Sequence, residues 1–211
     1  MKKGPACRPS GFTIVELLII LAVVSVLGVV LVDVFLRSIR GSDKARILAK
    51  LQQNGQVAMD NMDKAIRGSE AVLCPRSSTV GVGPFPRILM IVREGQYTRF
   101  RFKEPTSDQN GKVQIDYPNP SVDIFTNPSD EKIAIWESYC QGADAVPLDK
   151  LTDLTDASDN GVSISEGSFI KNKKAGFKDI VTIFFKVGPS LKLINQQAVE
   201  PVTFQTTVEV R

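Results

Sequence analysis

Residues 11–32 read GFTIVELLIILAVVSVLGVVLV, and this stretch decides how the rest of the chain is organised. The residues from Leu17 to Val32 carry no charge, and Asp33 is followed by three more apolar residues. A membrane-spanning helix needs about 20 mostly apolar residues, so the run is long enough to cross a bilayer. Its one early acid is Glu16. An unpaired charge in hydrocarbon costs about 2.5–3.5 kcal/mol or more, so we expect Glu16 to have a partner.

A short basic leader precedes the apolar run. Its charged residues are Lys2, Lys3 and Arg8, so the positive-inside rule keeps this end in the cytoplasm. A secretory signal peptide would have an apolar region of about 7–15 residues and then a small-x-small cleavage site. This run ends instead in Val-Asp-Val-Phe-Leu-Arg. A plain single-pass anchor remains an alternative, although it explains neither the Gly-Phe boundary nor the acid.

The boundary resembles the N-terminus of type IV prepilins and pseudopilins, residue by residue. The resemblance implies that prepilin peptidase cuts after Gly11, and that Phe12 becomes the new, N-methylated terminus. It also implies that Glu16 contacts the terminal amine of a neighbouring subunit during filament assembly. Major pilins usually carry a helix-breaking proline near Asp33, which this chain lacks. The chain is therefore more similar to minor pilins and pseudopilins. In the size of its head, and in the helix-end pattern at residues 52–55 and 59–67, it is similar to the PilW- or GspJ-like minor components.

Cleavage would change both the charge and the cysteine count. It removes three of the 26 Lys and Arg residues and none of the 23 Asp and Glu residues. The mature side chains are then formally neutral, which gives nucleic-acid binding no support. Cys7 leaves with the leader, whereas Cys74 and Cys140 stay outside the cytoplasm, where a disulfide can persist. Closing this loop would contribute about 4 kcal/mol in the loop-entropy model, and two buried free thiols are the alternative.

The sequence predicts that the helix continues well beyond the membrane. No proline lies between Pro9 and Pro75, and small or apolar residues recur at alternating intervals of three and four. They are Leu48, Leu51, Gly55, Ala58, Met62 and Ala65. This spacing places them on one helix face, which we assign to ordinary core packing. We expect one continuous helix from Thr13 to Arg67, packed on a globular head in its second half.

After Pro75 the periodicity changes to two. Residues 87–93 and 96–103 flank Glu94-Gly95 and predict a β-hairpin. The other predicted strands lie within residues 113–117, 133–135, 180–187 and 202–210. The predicted class is therefore α+β, a pilin-like fold with a long N-terminal helix on an antiparallel β-sheet head. Its predicted parts are a leader at 1–11, a transmembrane and filament-core helix at 12–36, an amphipathic continuation at 37–68 and an extracytoplasmic head at 69–211.

Chemistry is sparse in this sequence. It has no histidine, which excludes His-based triads and His-containing zinc sites. Arg99, Arg101 and Lys103 alternate with Phe100 and Phe102, so the cations and the aromatic rings lie on opposite faces. Bases could not stack beside those charges, and a solvated basic sheet face is the favoured interpretation.

An acidic loop is the one candidate for a metal site. Asp153, Asp156 and Asp159 precede Gly161, and their oxygens could hold calcium. The spacing differs from that of an EF-hand, and Asp-Asn-Gly is an ordinary turn signal. A hydrated turn is favoured, so no metal and no cofactor is predicted.

The sequence thus predicts a structural subunit and not an enzyme. The expected role is a minor pilin or pseudopilin of a type IV pilus or type II secretion-like filament. The expected partners are prepilin peptidase, other subunits of this kind and, before assembly, the lipid of the cytoplasmic membrane, with no nucleic acid. The head would lie outside the cytoplasm, on the cell surface or in the periplasm after assembly. A DNA-uptake minor pilin and a simple membrane-anchored domain are the alternatives.

Overall fold

The computed structural model describes residues 13–75, 86–118, 140, 151–172, 176–194 and 199–210. The chain divides into two compact units, residues 1–45 and 46–211. Helix α1, Ile14–Arg67, begins in the first unit and ends in the second. The predicted helix is confirmed to within one residue at its start, and it ends where expected, before Gly68. The predicted strand at residues 133–135 lies outside the described residues.

The second unit contains two antiparallel sheets. The first sheet has the order β1-β2-β3-β4-β5, and the second has the order β6-β7-β8. The strands are β1 Ala71–Cys74, β2 Ile88–Arg93, β3 Gln96–Lys103, β4 Lys112–Asp116, β5 Thr152–Asp153, β6 Val162–Asn172, β7 Ile180–Pro189 and β8 Val202–Glu209. A short helix, α2 Leu191–Ile194, connects β7 to β8. The predicted α+β class is confirmed, with two sheets where one was expected.

The β2–β3 hairpin follows directly from its turn residues. Arg93 pairs with Gln96 across the two-residue loop. Glu94 and Gly95 both have positive φ, 49° and 76°. A type I′ turn requires this pair of left-handed residues, and its twist matches that of the strands.

The second half of α1 supplies one wall of the main core. Its buried residues are Leu51, Gly55, Ala58, Met59, Met62 and Ile66. Phenylalanines from both sheets meet in this core: the ring centroids of Phe102 and Phe169 are 4.7 Å apart, and those of Phe185 and Phe204 are 5.3 Å apart. A Cβ on Gly55 would overlap the ring of Phe204. The absence of a side chain at Gly55 therefore lets β8 approach the helix.

Strand β6 was not among the predicted strands. Its pairing with β7 shifts register between Ser165 and Ser168, and Glu166 in this interval has a φ of 53°. The buried apolar residues are Val162 and Ile164 before this bulge and Phe169 after it. A bulge inserts one residue, so the inward positions change from even to odd numbers. No single alternation runs through the strand.

The first sheet is also buried on the face away from the main core. A second cluster there contains Leu73, Cys74, Met90, Val92 and Tyr97, with Cys140 packed against it. Its members alternate along β2 with Leu89 and Ile91, which belong to the main core. Residues that alternate along a strand point to opposite faces, so β2 is apolar on both.

Candidate functional site

The start of α1 is a capping box built from Thr13 and Glu16. The backbone N–H and the Oγ1 hydroxyl of Thr13 both donate to Oε2 of Glu16, at 3.3 Å each. The backbone N–H of Glu16 donates back to Oγ1 of Thr13 at 3.2 Å. In this arrangement the side chain of each residue accepts a hydrogen bond from the backbone N–H of the other. Two of the N–H groups that a helix start leaves unpaired are satisfied in this way. This role was not among the sequence-based predictions, although Thr-x-x-Glu before an apolar run is a known signal for it.

The two processing residues cannot be placed. Gly11 and Phe12 lie outside the described residues, so the predicted cleavage and methylation stay predictions. Glu16 is therefore the one predicted assembly residue whose surroundings are described. Its partner there is the first turn of its own helix.

The helix that follows Glu16 exposes an apolar surface all round. The large apolar side chains from Ile14 to Leu36 range in exposure from 81% to 47%. Burying such side chains is worth roughly 1.5–3 kcal/mol each, so this surface favours lipid or a protein partner over water. By length and composition α1 is able to cross a membrane, which weakly indicates a single-pass anchor.

Each polar group within this apolar segment is satisfied locally. The hydroxyl of Ser25 donates to the carbonyl of Leu21 at 2.7 Å. Arg37 Nε lies 2.9 Å from a carboxylate oxygen of Asp33, one turn before it. These contacts need no other element of the protein.

The prediction of a solvated basic face on β3 is wrong for Arg99. Arg99 and Asp116 are both only 2% exposed, and their ion pair joins β3 to β4. Arg99 Nε donates to Asp116 Oδ1 at 2.9 Å, and Nη2 donates to Oδ2 at 2.5 Å. Arg99 lies on the same face of β3 as Tyr97, which belongs to the second cluster. This face of the sheet is buried, which accounts for the burial of Arg99. Arg101 is half-buried, and it donates to Gln114 at 3.1 Å.

The structure gives each aspartate of the acidic loop a different lysine. Asp153 lies 2.7 Å from Lys112, and Asp159 pairs with Lys192. Within the described part of the chain, no three carboxylate, cysteine or histidine groups are close enough to hold a metal ion. The three candidate calcium ligands are therefore not brought together there.

Asp156 instead fastens the acidic loop to α1. Its carboxylate lies 2.8 Å from Lys50, whose ammonium also donates to the carbonyl of Asn160 at 2.8 Å. Its backbone N–H donates to the side chain of Asn54 at 2.9 Å. The hydrogen bond from Lys50, followed by those from Ser158, lowers the pKa of Asp156 to about 2. The acidic loop thus docks on the helix through its own carboxylate.

Cys74 and Cys140 form a disulfide, with their Cα atoms 5.7 Å apart. Cys74 ends β1 and is 1% exposed. The bridge ties residue 140 to the second cluster of the first sheet. The predicted pairing is therefore the one that the structure contains.

The remaining buried cation in the described chain also has a structural role. Lys171 donates to the carbonyl of Val72 at 2.6 Å and lies 2.8 Å from Asp179. Because Lys171 belongs to β6 and Val72 to β1, this contact connects the two sheets.

No family model, no curated protein and no solved structure matches the chain. The resemblance of residues 11–36 to a prepilin N-terminus therefore rests on those residues themselves.

Proposed function

We propose that this chain is a minor pilin or pseudopilin, a structural subunit of a type IV pilus or type II secretion-like filament. Prepilin peptidase cuts after Gly11, and the new N-terminus at Phe12 is methylated. The apolar half of α1 waits in the cytoplasmic membrane and then packs among the same segments of neighbouring subunits. The subunit acts by assembly and not by catalysis.

The observation that carries this proposal is a capped helix start followed directly by a segment whose large apolar side chains are 47–81% exposed. Lipid tails and neighbouring apolar helices cover such a surface about equally well. Transfer from membrane to filament therefore involves little change in hydrophobic free energy. A polar contact is then needed to set the register between subunits.

Glu16 can supply that contact without losing its cap. Among the described residues, hydrogen bonds reach only Oε2 of its carboxylate. An ionised carboxylate offers about four acceptor positions on two oxygens. The other oxygen is then available to the terminal amine of a neighbouring subunit, while Oε2 continues to accept from Thr13.

Processing is tested by intact mass and N-terminal sequencing of the protein from its native membrane. The proposal expects a chain that starts at Phe12 and carries one added methyl group. A Gly11→Val variant should remain uncut. An intact chain in a host with active prepilin peptidase would refute the assembly mechanism and favour a simple membrane-anchored domain.

Assembly is tested with two replacements of Glu16 that separate its charge from its cap. Glutamine also closes a capping box, whereas alanine removes both functions, and loss of a cap costs about 0.5–2 kcal/mol. We expect both Glu16→Gln and Glu16→Ala to be cleaved normally but to be depleted from sheared filaments. If Glu16→Gln enters filaments as the parent does, the charge is not required and the pairing argument is wrong.

A further inference from the structure

A basic stripe follows the apolar segment on α1. We use this name for Arg37, Arg40 and Lys44, which are all exposed. Their spacing of three and four residues places them on one helix face. Arg37 pairs with Asp33, whereas Arg40 and Lys44 form no ion pair within the described part of the chain. Asp43 is the only acid in residues 34–45, so this piece of helix has a formal charge of +2.

The stripe begins at the height of lipid headgroups when the apolar segment spans a bilayer. The helix from Leu17 to Leu36 is about 30 Å long, which equals the thickness of the hydrocarbon core. Each headgroup layer adds about 5–8 Å. Arg40 is about 6 Å and Lys44 about 12 Å beyond Leu36 along the axis.

The side chains of the stripe lean toward the membrane. Every Cα–Cβ bond in a helix tilts toward the N-terminus, which here is the side of the apolar segment. Long basic side chains also extend along apolar surface to place their charge in the interface. Ile39, which is 44% exposed, provides apolar surface among the cations. All three charged groups can therefore reach the phosphate layer.

We propose that the basic stripe binds the phosphate groups of anionic phospholipids in the leaflet next to residues 37–45. Guanidinium groups match phosphate oxygens in a two-pronged geometry, and ammonium groups bind them as point charges. The position of the stripe, one residue after the apolar run, favours lipid over an acidic protein surface. This inference rests on the helix crossing a membrane and does not require filament assembly.

The test uses the full chain reconstituted into phosphatidylcholine bilayers, with spin-labelled phosphatidylglycerol or phosphatidylcholine as the probe. Electron paramagnetic resonance reports the relative association of each labelled lipid with the protein. One cation near an anionic surface is worth about 1 kcal/mol, so we expect phosphatidylglycerol to be preferred about fivefold or more. The preference should fall close to unity in Arg40→Gln/Lys44→Gln. It should also weaken as salt is raised, because salt screens exposed charges.

The matched control removes two exposed cations that lie elsewhere. Lys64→Gln/Lys178→Gln makes the same change in net charge at exposed residues of the second unit. This variant should keep the lipid preference of the parent. Equal association of both lipids with the parent, or a preference that survives Arg40→Gln/Lys44→Gln, would overturn the proposal.

Two further outcomes have a defined meaning. Failure of the parent chain to float with neutral vesicles would show that the helix does not insert into the bilayer. Because the proposal requires a membrane-spanning helix, this result would overturn it. An absent lipid preference together with loss of crosslinks to an acidic protein in Arg40→Gln/Lys44→Gln would assign the stripe to a protein interface and overturn the lipid proposal. The mature N-terminus is measured separately, so cleavage at Gly11 can succeed or fail without affecting either result.

Discussion

Replacement of Asp116 by asparagine should be among the most damaging single changes in the second unit. It keeps the shape of the side chain but removes the charge that accepts three hydrogen bonds from Arg99. Both residues are 2% exposed, so the guanidinium would remain out of water without the carboxylate of Asp116. Breaking a buried ion pair in this way costs about 3–5 kcal/mol. For a domain of this size that is a loss of about 10 °C in Tm.

The assay is urea unfolding, monitored by circular dichroism, of a fragment that begins at Ser42. This fragment contains the whole of the second compact unit. The control is Lys112→Gln, which breaks a more exposed ion pair with Asp153 on the same sheet and should cost at most about 1 kcal/mol. The double variant Arg99→Met/Asp116→Leu should recover most of the lost stability, because it removes both charges of this buried pair. A cost for Asp116→Asn no larger than that of the control would refute the reasoning.

Two predictions concern the contacts between α1 and the rest of the second unit. Gly55→Ala should destabilise the same fragment by about 1–3 kcal/mol through overlap with the ring of Phe204, although alanine favours helix by about 1 kcal/mol. Phe204→Leu in the same chain should relieve that loss, and a more stable Gly55→Ala fragment would contradict the packing argument. For the Lys50–Asp156 bridge, the folded-state pKa of Asp156 is about 2, below its ordinary 3.8. An acid whose pKa is lower in the folded state stabilises the fold at pH values above its unfolded pKa. The contribution of Asp156 to stability should therefore be lost as pH falls from about 4 to about 2. Both side chains are about 40% exposed, so it is worth at most about 1 kcal/mol. Lys50→Met should raise the pKa of Asp156, as followed by carboxyl NMR, and a pKa that does not move would remove Lys50 as its cause.

The elements predicted correctly are those whose signal is local and unbroken. An uninterrupted helical pattern predicted α1, and the turn residues Glu94-Gly95 predicted the hairpin. Each of these sequence signals is compatible with only a few backbone conformations. Strand β6 was missed because its bulge at Glu166 changes the inward phase, so neither half is long enough to show a period of two. The division into two sheets depends on which strands pair at long range, and no local pattern carries that information.

The error at Arg99 has a physical cause that the sequence partly records. Alternation correctly places Arg99 and Phe100 on opposite faces of β3, but it does not show whether the second face is covered. The neighbouring strand does carry a signal, since residues 88–92 are an apolar run with no polar alternation. Such a run is typical of a strand buried on both faces. A carboxylate for Arg99 was then to be expected on the adjacent strand, where Asp116 lies.

The polar contacts within the apolar half of α1 are those that a helix stored in lipid would need. Its two acids have partners within one turn along the chain, Glu16 with Thr13 and Asp33 with Arg37. A carboxylate left unpaired at either position would cost about 2.5–3.5 kcal/mol in hydrocarbon, whereas these local contacts offset part of that cost. Because lipid and like helices cover the apolar surface about equally well, the remaining acceptor capacity of Glu16 is what can distinguish a neighbouring N-terminus from lipid. Under the proposed mechanism the same residue would serve storage through one oxygen and assembly through the other, which is why Glu16→Gln and not Glu16→Ala decides between the two roles.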